Sequence, residues 1–109
     1  MIKNYRPEEK PFYIKSKKEL AFGFDIEYNG LQLTSGGVRE ENYTQLVKQM
    51  KIRGLRPEAF ESYLSTFKGG APLHGGNAYG LERLLMVILK KDHIRETIFY
   101  PRDKRAVIC

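Results

Sequence analysis

The sequence predicts an α/β (α+β) domain, an antiparallel sheet with flanking helices packed on one side. Three observations predict it. Residues 22–34 alternate apolar and polar on both sides of Asn29-Gly30. Two later segments repeat apolar residues at helical spacing, and a glycine-rich stretch at 69–80 runs into the apolar segment LLMVIL at 84–89. At 109 residues the chain suits one domain, residues 1–109. Its 19 Lys and Arg against 13 Asp and Glu give a formal net charge of +6, which favours anionic partners such as phosphates or RNA. Hydrophobic residues at 41% and charged residues at 29% exclude a disordered tail or a collagen-like repeat. No apolar run approaches the roughly 18 residues of a membrane span, and the polar, proline-broken start MIKNYRPEEKPF does not read as a secretory signal. A single cysteine, Cys109, excludes an internal disulfide or a cysteine-based zinc site and fits a reducing, cytoplasmic setting.

Taken in order, residues 1–20 read as an extended lead-in with one short strand at Phe12–Ile14. Phe22, Phe24, Ile26 and Tyr28 then alternate with Gly23, Asp25 and Glu27 before Asn29-Gly30, and Leu31 and Leu33 alternate with Gln32 and Thr34 after it. Asn-Gly between alternating runs signals a type I′ turn, which needs positive φ at both central residues. A two-residue loop pairs Tyr28 with Leu31, Glu27 with Gln32, Ile26 with Leu33 and Asp25 with Thr34. One face is then apolar, and the other carries Asp25, Glu27, Gln32 and Thr34. Ser35-Gly36-Gly37 is expected to end the second strand, with room for a bulge that re-aims Ser35.

Tyr43, Leu46, Val47 and Met50 fall at i, i+3, i+4, i+7 of a first helix that Gly54 stops. Pro57 starts a second, whose stripe is Phe60, Tyr63, Leu64 and Phe67 and whose end is Gly69-Gly70. A short strand at 75–79 leads to a third helix over about Leu81–Lys91. That helix is apolar on most sides and is expected to be buried. A last strand, Thr97–Tyr100, precedes the basic tail PRDKR.

Chemistry has three candidate places. On the hairpin, Asp25 and Gln32 are diagonal neighbours within about 7–8 Å, reachable by one bound cation; a solvated sheet face is the alternative. In GGNAYGLER at 75–83, glycines allow close backbone approach to a nucleotide and a helix N-terminus offers free N–H groups to phosphate. Arg83 can grip a phosphate or stack on a base, or it can form a structural ion pair with Glu82. Arg39, after Gly36-Gly37, can clamp a carboxylate in a bidentate pair or pair with Glu40 or Glu41. His74 has no second histidine, cysteine or paired carboxylate near it in sequence. His93 reads as an ordinary helix-end histidine, and Ser35 has no adjacent base.

These segments, in order, resemble the C-terminal part of the catalytic domain of class II aspartyl- and asparaginyl-tRNA synthetases. The matching pieces are PFY at 11–13, FDIEYNGLQLTSGGVRE at 24–40, GLRPEAFESYL at 54–64, GAPLHGGNAYGLERLLM at 70–86 and IRETIFYPRD at 94–103. GLER looks like the end of the family's third signature motif, and the Ala-Pro-x-His-Gly-Gly loop with the closing PRD is most similar to the archaeal-type aspartyl branch. The resemblance implies half of a class II core whose exposed sheet edges another chain covers, and ATP-dependent activation of aspartate for tRNA aminoacylation. It implies ATP contact by Gln32, Gly80, Leu81, Glu82 and Arg83, with Arg83 the catalytic arginine that meets the γ-phosphate. It also implies amino-acid binding by Ser35 and Arg39, and magnesium held by Asp25, Gln32 and Ser35.

Departures accompany the match. Gln32 stands where the family has a glutamate, and an amide lacks the charge that draws magnesium onto a triphosphate. Ala78 replaces a motif glycine, Asn77 an aromatic and Val38 a glutamine. The family's first two motifs and its anticodon-binding domain have no counterpart in these 109 residues. The expectation is therefore a ligase part that is inactive alone, completed by an oligomer or partner chain, with aspartate or asparagine as substrate and tRNA reached only through the other parts. A degenerate paralogue acting as a binding or regulatory module is one alternative. An asparagine-synthetase-like relative that forms the same aspartyl-adenylate without tRNA is another.

Overall fold

A computed structural model describes residues 1–102, so Asp103–Cys109, including the end of the basic tail and Cys109, lie outside the described residues. The predicted hairpin is the centre of the fold. Strand β3 (Gly23–Tyr28) and strand β4 (Leu31–Val38) pair antiparallel across Asn29 at φ 47° and Gly30 at φ 75°, the positive angles that a type I′ turn demands. Upstream lie two short strands, β1 (Ser16–Lys17) and β2 (Leu20–Ala21), paired with each other.

The register departs from the simple pairing after two residues. Tyr28 faces Leu31 and Glu27 faces Gln32, but Ile26 then faces Thr34 and Asp25 faces Ser35. Leu33 is the extra residue of a bulge between Ile26 and Glu27, which shifts every later pair by one. Thr34 is consequently turned from the polar face to the apolar one, where it is buried and its Oγ1 donates to the Ala78 carbonyl at 2.7 Å. Nor does Ser35-Gly36-Gly37 end the strand. β4 continues to Val38 and pairs with strand β5 (Gly75–Tyr79), giving the order β3-β4-β5. The two glycines serve close packing: a Cβ on Gly36 would lie 2.5 Å from Asn77 Cβ, and one on Gly37 2.6 Å from the Phe22 carbonyl oxygen.

Helix α1 (Tyr43–Ile52) starts at Asn42, whose side chain accepts from the Gln45 N–H at 3.1 Å. Helix α2 (Glu61–Lys68) follows a 3-10 turn at Pro57–Phe60. The two helices bury Leu46, Met50, Leu64 and Phe67, with Phe12, Tyr13, Phe60 and others packed around them. Phe12–Ile14 is therefore not a strand. Pro7 and Pro11 bend the chain, and Phe12 meets Phe60 and Tyr63 edge-on at 5.6 and 6.1 Å, while Ile14 makes only an isolated bridge to Arg39.

Helix α3 (Leu81–Ile88) lies over the hairpin with Met86 and Val87 beside Tyr28 and Leu31, and it contains no buried residue. Its expected burial is not met within the described residues, since Leu81, Ile88 and Leu89 are each more than half exposed. The expected strand at Thr97–Tyr100 is replaced by a 3-10 turn at Ile94–Thr97. His93 and Glu96 cap that turn reciprocally, and the Thr97 hydroxyl donates to the Ile94 carbonyl at 2.8 Å, holding it wound. No helix among the described residues is long and apolar enough to cross a membrane.

Candidate functional site

Residues opposed across strands share a face, and alternate residues along a strand do too. Gly23, Asp25 and Glu27 therefore share one face with Gly37, Ser35 and Gln32, and β5 adds Gly76 and Ala78 to it. Ser35, Gly76 and Ala78 leave a shallow trough on this face, while Gly37 is buried, with Ile14 Cδ1 3.0 Å from where its Cβ would stand. Two small hollows open on it, both bordered by Ser35 and Ala78. One, of about 130 Å³, is lined by Lys10, Tyr13, Ile14 and Arg39. The other, of about 140 Å³, is lined by Gln32, Thr34, Gly80 and Arg83.

Arg39 follows the paired part of β4, where the bridge to Ile14 fixes its backbone. Its guanidinium carbon lies 4.4 Å from the centre of the Tyr13 ring. Arg83, in the first turn of α3, folds back over Gly80, where a Cβ would stand 3.3 Å from Arg83 Cδ. Arg83 Nη1 donates to the Gln32 carbonyl at 2.8 Å. The ion pairs among the described residues are Lys10–Asp25, Lys15–Glu41, Lys68–Glu61 and Lys91–Glu96, so neither arginine pairs with the glutamates beside it in sequence. Gly80 caps α3 without a side-chain hydrogen bond, while its own N–H donates to the Leu33 carbonyl at 2.8 Å. The N–H groups of the first turn are open to an anion.

Asp25 sits in the same row as Ser35 and Ala78, and it is buried and fully engaged. Lys10 Nζ donates to Oδ1 at 2.8 Å and Oδ2 at 2.7 Å, and the Tyr5 hydroxyl donates to Oδ2 at 2.5 Å. Burial alone would raise this carboxyl, but the hydrogen bonds from Lys10 and Tyr5, with Ser35 opposite, outweigh it and hold the group down at about 2. The same contact, with burial adding to it, pushes the Tyr5 phenol up to about 12. This donor set does not fit a magnesium ion. Its one carboxylate is claimed by an ammonium, Gln32 and Ser35 are neutral, and no group of three His, Cys, Asp or Glu able to hold a metal occurs among the described residues.

Sequence reasoning singled out Asp25, Gln32, Ser35, Arg39, Gly80 and Arg83, and the fold brings all six to one face or its rim. Leu81 and Glu82 contribute backbone beside it. It missed Lys10, Tyr5 and Tyr13, whose only signal was a lysine beside Pro11 in a segment that reads as lead-in. His74 is held apart, its Nδ1 2.9 Å from the Pro72 carbonyl and its ring stacked on Phe67.

A trough floored by small residues, with Lys10, Arg39 and Arg83 around it and a helix N-terminus at its rim, has the charge and shape to receive anionic groups. The family model described as tRNA synthetases class II (D, K and N) matches residues 1–104. The chain belongs to that family. Among curated relatives it is 48% identical to the aspartate–tRNA(Asp) ligase of Pyrococcus furiosus, over 98% of this chain and 25% of the relative. It is 46% identical to the aspartate–tRNA(Asp/Asn) ligase of Methanopyrus kandleri, over 97% and 25%. Similar folds include the asparaginyl-tRNA synthetase of Pyrococcus horikoshii, with TM-score 0.88 and 29% identity over 96% of this chain and 26% of that one. An Entamoeba histolytica asparaginyl-tRNA synthetase in complex with asparaginyl-adenylate gives TM-score 0.84 and 32% identity over 93% and 24%. The chain spans about a quarter of the length of the curated relatives it matches.

Proposed function

We propose that this chain forms one wall of an aspartate-activating class II ligase site and does not complete the reaction alone. Arg83 and the N–H groups of Leu81 and Glu82, with Gly80 and Gln32 beside them, receive the phosphates of ATP. Arg39, with Ser35, receives a carboxylate of the amino acid. Activation is attack by a carboxylate oxygen on the α-phosphorus with pyrophosphate leaving, so the protein's task is to align two anions and neutralise charge. The observation that carries this reading is the trough itself, in which Arg39 and Arg83 flank a floor of Ser35 and Ala78 and neither arginine has a carboxylate partner among the described residues.

Aspartate is favoured over asparagine because the relatives at 46–48% identity are aspartate ligases. The reaction belongs in the cytoplasm, as the lone cysteine suggests, and tRNA is engaged by parts of the relatives that this chain does not span. A partner chain or second copy that completes the site would also cover the exposed apolar side of α3. Titration calorimetry tests the core of this. ATP is expected to bind at about millimolar or weaker, since only part of the binding energy is present, and Arg83→Ala should abolish the heat. ATP–pyrophosphate exchange should be absent for the chain alone. No heat with ATP at any concentration would favour the paralogue reading, in which the trough is a binding or regulatory surface. The neutral Gln32 and the sequestered Asp25 are what speak for that alternative.

A further inference from the structure

We infer that Lys10 is the resident cation of the trough: its ammonium fills the place at Asp25 that a divalent ion would take, and so closes this carboxylate to metals. A carboxylate offers about four acceptor positions. Lys10 takes one on each oxygen, at 2.8 and 2.7 Å, and Tyr5 takes another at 2.5 Å. Ser35 stands directly opposite Asp25 across the strand pair. A magnesium ion needs near-octahedral oxygen ligands at about 2.0–2.1 Å. At this position it would have to displace those donors while standing beside a fixed positive charge; Gln32 and Ser35 are neutral, and Glu27, two residues along β3 on the same face, is the one other carboxylate of that row.

The placement of Lys10 is built rather than incidental. Its stem crosses β3 at Gly23, where a Cβ would come within 3.0 Å of Cε and 3.2 Å of Cδ and Cγ, so the glycine leaves the groove in which the lysine lies. Its ammonium stands 3.9 Å from the centre of the Tyr5 ring. The turn that carries it is held from α1, since Arg53 Nη2 donates to the carbonyls of Pro7 at 2.5 Å and Lys10 at 2.9 Å. Lys10 is 8% exposed and Asp25 7%, so neither is an ordinary surface charge. Lys10 lines the same hollow as Ser35 and Arg39. Where the proposed ligase reading holds, Lys10 therefore supplies there a positive charge that needs no metal.

The test is manganese binding to the whole chain without nucleotide, read from the loss of the free-ion electron paramagnetic resonance signal. A failed ATP titration therefore leaves it intact. The wild type is expected to show no site tighter than about millimolar, a free energy near 4 kcal/mol. Lys10→Met should gain a site at least tenfold tighter, and Lys10→Met with Asp25→Asn should lose it again. Because Lys10→Met leaves a buried charge unpaired and can unfold the chain, Gly23→Ala is the second variant. It keeps every charge but pushes the lysine stem aside, and should gain manganese affinity in the same direction. A wild-type manganese site that Asp25→Asn removes would overturn the inference. So would folded Lys10→Met, or folded Gly23→Ala where Lys10→Met unfolds, with no gain at all.

Discussion

In the α1–α2 pair, Leu46, Met50 and Leu64 are sealed from solvent and Phe67 nearly so, although the two helices are only moderately apolar. Helix α3 is the most apolar of the three and buries none of its residues, with Leu81 at 61% and Ile88 at 63% exposure. The pair is self-sufficient because each helix brings its stripe to the other, and Phe12 and Phe60 close the gap. α3 rests on the short Tyr28–Leu31 end of the hairpin and on the 3-10 turn Ile94–Thr97, whose Thr97 hydroxyl donates to the Glu82 carbonyl at 3.1 Å. Hydrophobic content records the burial a helix is built for, and geometry records the burial it has. Where the two agree the segment is an interior, and where they part it is a surface that can still accept a partner.

The comparison breaks most visibly at Leu46. Leu46→Ala removes a fully buried side chain from a core with few others, and is expected to cost about 2–5 kcal/mol in urea unfolding. Leu84→Ala on half-buried α3 should cost well under half of that, and equal losses would mean that α3 is as tightly packed as α1. A second variant addresses the seam between the regions. Gly36→Val forces a Cβ to within 2.5 Å of Asn77 Cβ and 2.7 Å of the Gly76 carbonyl oxygen. An overpacking cost of about 1–3 kcal/mol is expected. Because β5 must move from β4, any ATP heat should fall with it while the α1–α2 aromatic signals in nuclear magnetic resonance stay put.

How legible each region was depends on whether its cause is local. The Asn29-Gly30 turn and the stripes of Leu46, Met50, Leu64 and Phe67 follow from neighbours in sequence, and they stand as read. The bulge at Leu33 was not legible, because apolar–polar alternation looks the same whether or not one residue is skipped, and only the partner strand reveals it. That single residue sets Ser35 opposite Asp25 and turns Thr34 inward. Lys10 was hidden for a related reason: its contact with Asp25 depends on the path of a proline-bent segment across Gly23, which no spacing encodes. Arg39 and Arg83 were visible as candidates, but the fold was needed to show that they border one floor. Their individual roles came from the family resemblance rather than from their surroundings.

A smaller effect, governed by pH, separates the trough from both helical regions. The Asp25 carboxyl is held at about 2 against an ordinary 3.8, so its contribution to stability is present above about pH 4 and is lost as pH falls through about 2. The Tyr5 phenol is raised from 10.0 to about 12, so its contribution is complete below about pH 10 and is lost as pH rises through about 12. Thermal melts across pH should show both limbs in the wild type. Asp25→Asn should remove the Asp25 part of the acid limb, leaving that of Glu41, which Lys15 holds low, and of Glu96, which Lys91 holds low. It should also bring Tyr5 back towards an ordinary phenol in a tyrosinate titration. An unchanged alkaline limb would show that Tyr5 does not depend on Asp25.

The smallest expected effect is the sharpest on what α3 is for. Ile88 is 63% exposed at the end of α3, so Ile88→Ser has little burial to lose and should change unfolding stability by no more than about 0.5 kcal/mol. An isoleucine in an interior would lose several times that, because both transfer and cavity terms would apply. The same substitution removes exposed apolar surface from α3, so it should reduce concentration-dependent self-association in sedimentation velocity, or binding to whatever chain completes the site. Stability and association are thus expected to separate at this residue, while at Leu46 they should fall together. A loss above about 2 kcal/mol for Ile88→Ser would show that α3 has a buried face after all, and the contrast with the α1–α2 pair would not hold.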